Sequence, residues 1–167
     1  MAKNLAFEFL VNKETNTITV RREFAAELPL VWDAYTKSEL LDQWWAPKPW
    51  KARTKSMDFR EGGHWHYAMV GPDGEVHWGL TSYHTIQLHE YFIGIDAFAD
   101  EQANINHEWP QSSWKIVFTT KHEKTLVENQ IIYNDLAQLE STIQMGFKEG
   151  LTAALEGLDE LFILLKS

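Results

Sequence analysis

From residue 137 to residue 165 apolar side chains return every three or four positions: Leu139, Ile143, Phe147, Leu151, Ala154, Leu155, Leu158, Leu161, Phe162 and Leu165. That spacing lays them along one face of a helix. Lys148, Glu149, Glu156, Asp159 and Glu160 fall mostly on the other face. At about 1.5 Å per residue the helix is roughly 40 Å long, so it needs a whole sheet as its partner. Gly146 and Gly150 stand one turn apart inside it. Because glycine within a helix costs about 1 kcal/mol against alanine, a packing or clearance reason is expected for both.

Upstream the period falls from near four to two. Phe7, Phe9 and Val11 alternate as a short edge strand, and Ile18, Val20 and Phe24 share one face of a strand over Thr17 to Phe24. Parity turns Arg22 inward with that apolar set, and a buried guanidinium requires a carboxylate or another acceptor. Pro29 sits where a first-turn proline belongs, with Leu30, Val31, Ala34 and Tyr35 forming a short helix. Ser38 reads as the cap of a second helix, Glu39 to Trp45, stopped by Pro47 and Pro49. Two such short helices cannot cross a sheet and are expected to close one end of it. Strand signals then recur over Lys51 to Arg60, His64 to Val70, Glu75 to Ile86, Tyr91 to Phe98, Ser113 to Thr120 and Thr125 to Tyr133. Gly71-Pro72-Asp73-Gly74 turns one hairpin. A long polar connection runs from Asp100 to Gln111. The resulting expectation is an α+β layout. A curved antiparallel sheet of six to seven strands wraps a long C-terminal helix, and two short helices follow the first strand. One domain is expected over residues 1–167, with a core from about 17 to 165 and an N-terminal extension over 1–16.

Composition narrows the function classes. The net charge of −9 argues against a general nucleic-acid binder, since phosphate contacts need a basic face. The absence of cysteine removes disulfides, thiolate catalysis and cysteine-ligated metals, and fits a cytoplasmic address. No stretch reaches the ~20 apolar residues of a membrane span. Aromatic residues make up 13% of the chain, including 8 tryptophans, enough to fill a core or to line a cavity for a flat, apolar molecule.

Several patterns occur in order along nearly the whole chain. They are Arg22-Glu23-Phe24 before Pro29, Val31-Trp32-Asp33-Ala34-Tyr35-Thr36, Trp44-Trp45-Ala46-Pro47, Asp58-Phe59-Arg60-Glu61-Gly62-Gly63, Gly71-Pro72-Asp73-Gly74, Asp96-Ala97-Phe98-Ala99-Asp100 and Met145-Gly146-Phe147-Lys148-Glu149-Gly150. Together they resemble the START-like (helix-grip) superfamily, and within it the family named after the activator of Hsp90 ATPase. The resemblance implies the fold. It leaves function open, because this fold hosts lipid and polyketide binders, cyclases, hydroxylase subunits and chaperone partners. The Hsp90 activators proper carry a separate N-terminal domain for which this chain has no room, which argues against an Hsp90 partnership.

Parity places Trp65, Tyr67 and Met69 on one face of their strand, with Trp78 and Leu80 continuing that face from the next. Trp114, Ile116 and Phe118 form a matching row, and Phe147 and Leu151 reach down from the helix. These rows describe either a solid core or a pocket of a few hundred Å³, and the resemblance favours the pocket. The expected ligand-binding set is Arg22, Trp45, Trp65, Tyr67, Met69, Trp78, Trp114, Ile116, Phe118, Phe147 and Leu151, for a small hydrophobic, aromatic or lipid-like molecule held between the helix and the sheet. Arg22 either meets an anionic group of the ligand or pairs with Asp58 or Asp96. His64 and His66 share one side of a strand, opposite Trp65 and Tyr67. Two imidazoles fall short of a metal site, so a solvated outer surface is expected, with no metal and no cofactor. No catalytic residue is assigned, because nucleophile–base, phosphate-loop and paired-acid motifs are all missing. A cyclase-like activity remains the enzymatic alternative. Trp44-Trp45-Ala46-Pro47-Lys48-Pro49-Trp50 is either an exposed patch that asks for a partner, a homodimer included, or the end wall of the cavity.

Overall fold

The alternation over Thr17–Phe24 emerges as strict alternation of burial, and Ile18, Val20 and Phe24 are fully enclosed. The structure is a computed structural model and describes residues 5–166. Residues 1–4 and 167, the ends of the expected domain span, lie outside the described residues. The chain order is β1 (Phe7–Asn12), β2 (Thr17–Phe24), α1 (Leu28–Thr36), α2 (Ser38–Trp44), β3 (Lys51–Asp58), β4 (His64–Val70), β5 (Val76–Gln87), β6 (Tyr91–Ala99), β7 (Gln111–Lys121), β8 (Lys124–Tyr133), α3 (Leu136–Gln144) and α4 (Phe147–Lys166).

The strands form one 8-stranded antiparallel sheet ordered β1-β2-β8-β7-β6-β5-β4-β3. The sheet is open, with β1 and β3 as its edges. The α1–α2 pair connects β2 near one edge to β3 at the other, so the two short helices span the end of the sheet. Residues 7–12, expected to belong to an N-terminal extension, are paired along β2 from Phe7↔Arg22 to Asn12↔Thr17.

The inner face of the sheet, α1, α2 and α4 share one core. Phe162 of α4 meets Phe24 of β2 edge-on at 5.6 Å, and Phe147 of α4 lies 6.0 Å from Trp114 of β7 and 6.2 Å from Phe9 of β1. Leu155 and Leu158, at 2% and 0% exposure, each contribute about 1.5–3 kcal/mol by leaving water. Among the described residues no helix is long and apolar enough to cross a membrane.

Two local expectations are corrected. Lys37, not Ser38, holds the cap position of α2, and it does so without a side-chain hydrogen bond. The C-terminal helix is not continuous: α3 ends at Gln144 with Met145 as its cap, and Gly146 takes a left-handed φ of +87° before α4 begins. A left-handed residue with a Cβ costs roughly 1–2 kcal/mol, which explains glycine there. Gly150 has no such reason, since a Cβ would meet only Pro47 Cγ at an ordinary 3.8 Å.

Candidate functional site

The site begins at the corner between α1 and α2. Trp44 is buried and donates its indole N–H to the Ala34 carbonyl at 2.8 Å, fixing the end of α2 on α1. Trp45, the next residue, is thereby turned toward the sheet. Its ring lies 5.3 Å from Trp44, 5.4 Å from Trp65, 6.0 Å from Trp114 and 6.4 Å from Tyr67. The tryptophan-rich stretch therefore folds inward as a wall. Its last member, Trp50, packs against His77 at 5.5 Å.

On the sheet, Trp65 and Tyr67 stack at 4.0 Å with their planes 23° apart. Tyr67 pairs with Gly79 on β5, where a Cβ would come within 2.5 Å of the tyrosine ring. The ring lies across bare backbone, and its hydroxyl donates to Asp96 Oδ1 at 3.3 Å. Thr81 donates to the same oxygen at 3.0 Å. Burial pushes the Asp96 carboxyl up to about 6 against the opposing pull of these two hydrogen bonds. Burial likewise raises the hydroxyls of Tyr35, Tyr67 and Tyr83 above the ordinary tyrosine range, with the Asp96 charge adding to the last two.

These groups enclose a chamber. Tyr35 of α1, Leu41 of α2 and Trp45 form one side. The sheet supplies Trp65, Thr81, Tyr83, Phe92, Gly94, Asp96, Trp114 and Ile116. Its volume is about 30 Å³, room for about one water molecule. The few hundred Å³ expected from the sequence are filled by aromatic rings. The chamber's location is also corrected: it lies beneath α1 and α2, and α4 contributes no lining residue.

Two polar atoms of these residues are buried without a close hydrogen-bond partner: Tyr35 Oη, which feels the charges of Arg22 and Asp159, and Trp45 Nε1. The indole N–H faces the Tyr67 hydroxyl closely enough to offset part of the rise in its pKa, though outside the geometry of a good hydrogen bond. An unsatisfied buried donor costs about 1–3 kcal/mol, so at each atom a water or a shifted side chain would be favoured.

Of the expected residues, the structure brings Trp45, Trp65, Trp114 and Ile116 together at the chamber. Tyr67 stands behind Trp65 and reaches the chamber through Asp96. Phe118 packs 4.9 Å from Trp32 and 5.4 Å from Tyr35, deeper in the core. Met69, Phe147 and Leu151 are partly buried against that core and do not line the chamber. Trp78 is on the wrong face: Val70↔Val76 closes the hairpin, so Tyr67 opposes Gly79, and Trp78 opposes Ala68 on the outer side. There it tilts over His66 at 4.9 Å and receives Lys55 at 5.7 Å. Leu80 opposes His66 on that outer side as well.

Arg22 does point inward, but its carboxylate is neither Asp58 nor Asp96. It pairs with Asp159 of α4, donates to the Glu23 carbonyl at 2.6 Å and lies over Phe24 at 5.0 Å, away from the chamber. Burial, joined by the nearby Glu156 and Glu160 charges, holds the Asp159 carboxyl above the ordinary carboxylate range against the pull of Arg22. Asp58 pairs with Arg60 at 2.6 Å. His66 is not solvated either; it is 3% exposed, with Nε2 at 2.9 Å from the Asp100 carbonyl. His64 meets Ser56 Oγ at 2.8 Å. Among the described residues no three metal-ligating side chains converge.

Sequence reasoning missed Tyr35, Leu41, Thr81, Tyr83, Phe92 and Gly94 as lining. It offers Asp96 only as an ion-pair partner of Arg22. The turn from Gly71 to Glu75 held the signal, because its register with Val70 and Val76 as flanking pair sends Gly79, Thr81 and Tyr83 inward.

The profile of the family described as activator of Hsp90 ATPase homolog 1-like protein matches residues 25–162. Among solved structures, protein Ms6760 from Mycobacterium smegmatis is similar at 30% identity, covering 94% of this chain and 96% of that one, with a TM-score of 0.86. A protein from Arthrobacter aurescens is similar at 26% identity over 91% and 88% of the two chains, also with a TM-score of 0.86. Protein NE0264 from Nitrosomonas europaea follows at 25% identity over 91% and 97%, with a TM-score of 0.80. No curated protein matches.

Proposed function

The chain belongs to the activator of Hsp90 ATPase homolog 1-like family, and from that premise we propose that it binds a small, flat, apolar molecule bearing a hydrogen-bonding group in the chamber beneath α2. The observation that carries this reading is the space between α2 and the sheet, walled mainly by aromatic rings, with the Asp96 carboxyl and the Thr81 hydroxyl among them as polar groups. The closed chamber holds no more than a water, so the ligand takes the place of the Trp45 ring. Trp45 follows the last residue of the short helix α2, and while its backbone N–H donates to the Leu41 carbonyl, its indole N–H makes no close hydrogen bond that would hold the ring in place. Moving that ring frees space on the order of the 150 Å³ that accommodates benzene in a protein core.

Native mass spectrometry with a lipid and flavonoid panel, read beside quenching of tryptophan fluorescence, tests this. A one-to-one adduct that forms more tightly in Trp45→Ala than in the parent is the expected result. Absence of any adduct in both proteins overturns it. The filled interior favours a second reading, a dimeric or partner-binding protein with a solid core. The same spectra read subunit number, and stable dimers without ligand mass support that alternative.

A further inference from the structure

Asp96 is a carboxylate with no cation. Its near neighbours are hydroxyls: Tyr67 and Thr81 donate to one oxygen, and Tyr83 and Tyr133 are close enough for their own titration to feel its charge. No ion pair among the described residues includes it. Elsewhere the chain does supply a partly buried carboxylate with a cation, as Asp159 has Arg22. An uncompensated anion inside a protein is costly, and the cost is relieved by a proton or by a cation brought from outside.

The walls around Asp96 suit the second solution. Trp45, Trp65, Tyr83, Phe92 and Trp114 line the same chamber, and ring faces attract cations by their quadrupoles, most strongly when water is excluded. A ring cluster without a carboxylate would favour any apolar guest. A carboxylate among solvated groups would favour any cation. The combination selects a molecule that is apolar over most of its surface and positively charged at one end.

We infer that the ligand of this chamber is a small organic amine, with its ammonium group against Asp96 and its hydrocarbon part in the space vacated by Trp45. This rests on the chamber being the ligand site, as proposed above.

The probes are phenethylamine and propylbenzene, which share a shape and differ in carrying an ammonium or a methyl group. Calorimetry on the full chain compares them in the parent, in Trp45→Ala and in Trp45→Ala/Asp96→Asn, with circular dichroism melts to confirm folding. The amine is expected to bind Trp45→Ala at least about tenfold more tightly than propylbenzene. That preference grows from about pH 5 to about pH 8, as Asp96 loses its proton. Asp96→Asn, which keeps an acceptor for Tyr67 and Thr81, should abolish the preference while leaving propylbenzene binding intact. Equal binding of the two probes, or a preference that survives Asp96→Asn, overturns the amine and leaves the chamber reading standing. Binding of neither probe to any of the proteins overturns both.

Discussion

Replacing Gly79 by alanine tests how the floor of the chamber is built. The new Cβ would lie 2.5 Å from Tyr67 Cζ, 2.6 Å from its hydroxyl oxygen and 3.0 Å from Cε1. The ring cannot yield easily, because Trp65 stacks on it at 4.0 Å and Trp45 stands 6.4 Å away. Overpacking of this kind costs about 1–3 kcal/mol. Displacing the hydroxyl from Asp96 adds about 0.5–1.5 kcal/mol. Alanine in place of glycine within a strand returns about 0.5–1 kcal/mol. The balance is a loss of about 2 kcal/mol, read as a lower urea midpoint with unchanged slope. For a chain of this size it corresponds to a melting temperature lower by about 4–8 °C. In a Tyr67→Leu background the clash vanishes, so Gly79→Ala becomes neutral or stabilising, and the cycle shows a coupling of about 2 kcal/mol. A Gly79→Ala protein as stable as the parent would refute the close contact on which this account depends.

Arg22→Ala should cost about 3 kcal/mol in urea unfolding, since it strands Asp159 and removes the stem packed on Phe24. An effect below about 1 kcal/mol would show that the pair is solvated. Asp96 has a folded-state value raised above its unfolded one, so the folded chain binds the extra proton, and its contribution to stability falls as pH rises from about 4 to about 6. Asp96→Asn should remove that slope and be the more stable protein at neutral pH by about 1–3 kcal/mol, measured as paired urea midpoints at either end of the window. Gly146→Ala should lower stability by about 1–2 kcal/mol, whereas Gly150→Ala should raise it by about 0.5–1 kcal/mol because nothing crowds its Cβ. Equal effects at the two glycines in thermal melts would contradict the left-handed turn at Gly146.

The strands and their order along the chain were legible because each is written in local periodicity, and the helix-grip layout followed from the family resemblance. The break at Gly146 was not, because the apolar repeat runs on from Ile143 through Phe147 as though the helix were unbroken. Part of the chamber was legible for the same reason: Trp65 lies on the inner face by simple parity, and Trp114 with Ile116 repeats that pattern. Trp78 failed because hydrophobicity was taken to mark the inner face. On β5 the inner positions are Gly79, Thr81 and Tyr83, small or polar groups that leave room for Tyr67 and Asp96. The partner of Arg22 lay 137 positions away on a different element, a separation that no local pattern encodes. The volume of the chamber depends on how rings from four or more elements interlock, which is a property of packing rather than of spacing.

Gly146 has a consequence for how the chain can be altered. Because one left-handed residue separates α3 from α4, the two rods need not keep a common angular phase. A residue added within α3 would rotate its own face by about 100° without carrying Phe147, Leu155 and Leu158 out of alignment with the strands below. The terminal rod is thus insulated from length changes upstream of it, and the cost of such a change falls on α3 alone, whose fully enclosed Leu139 would be turned away from the core.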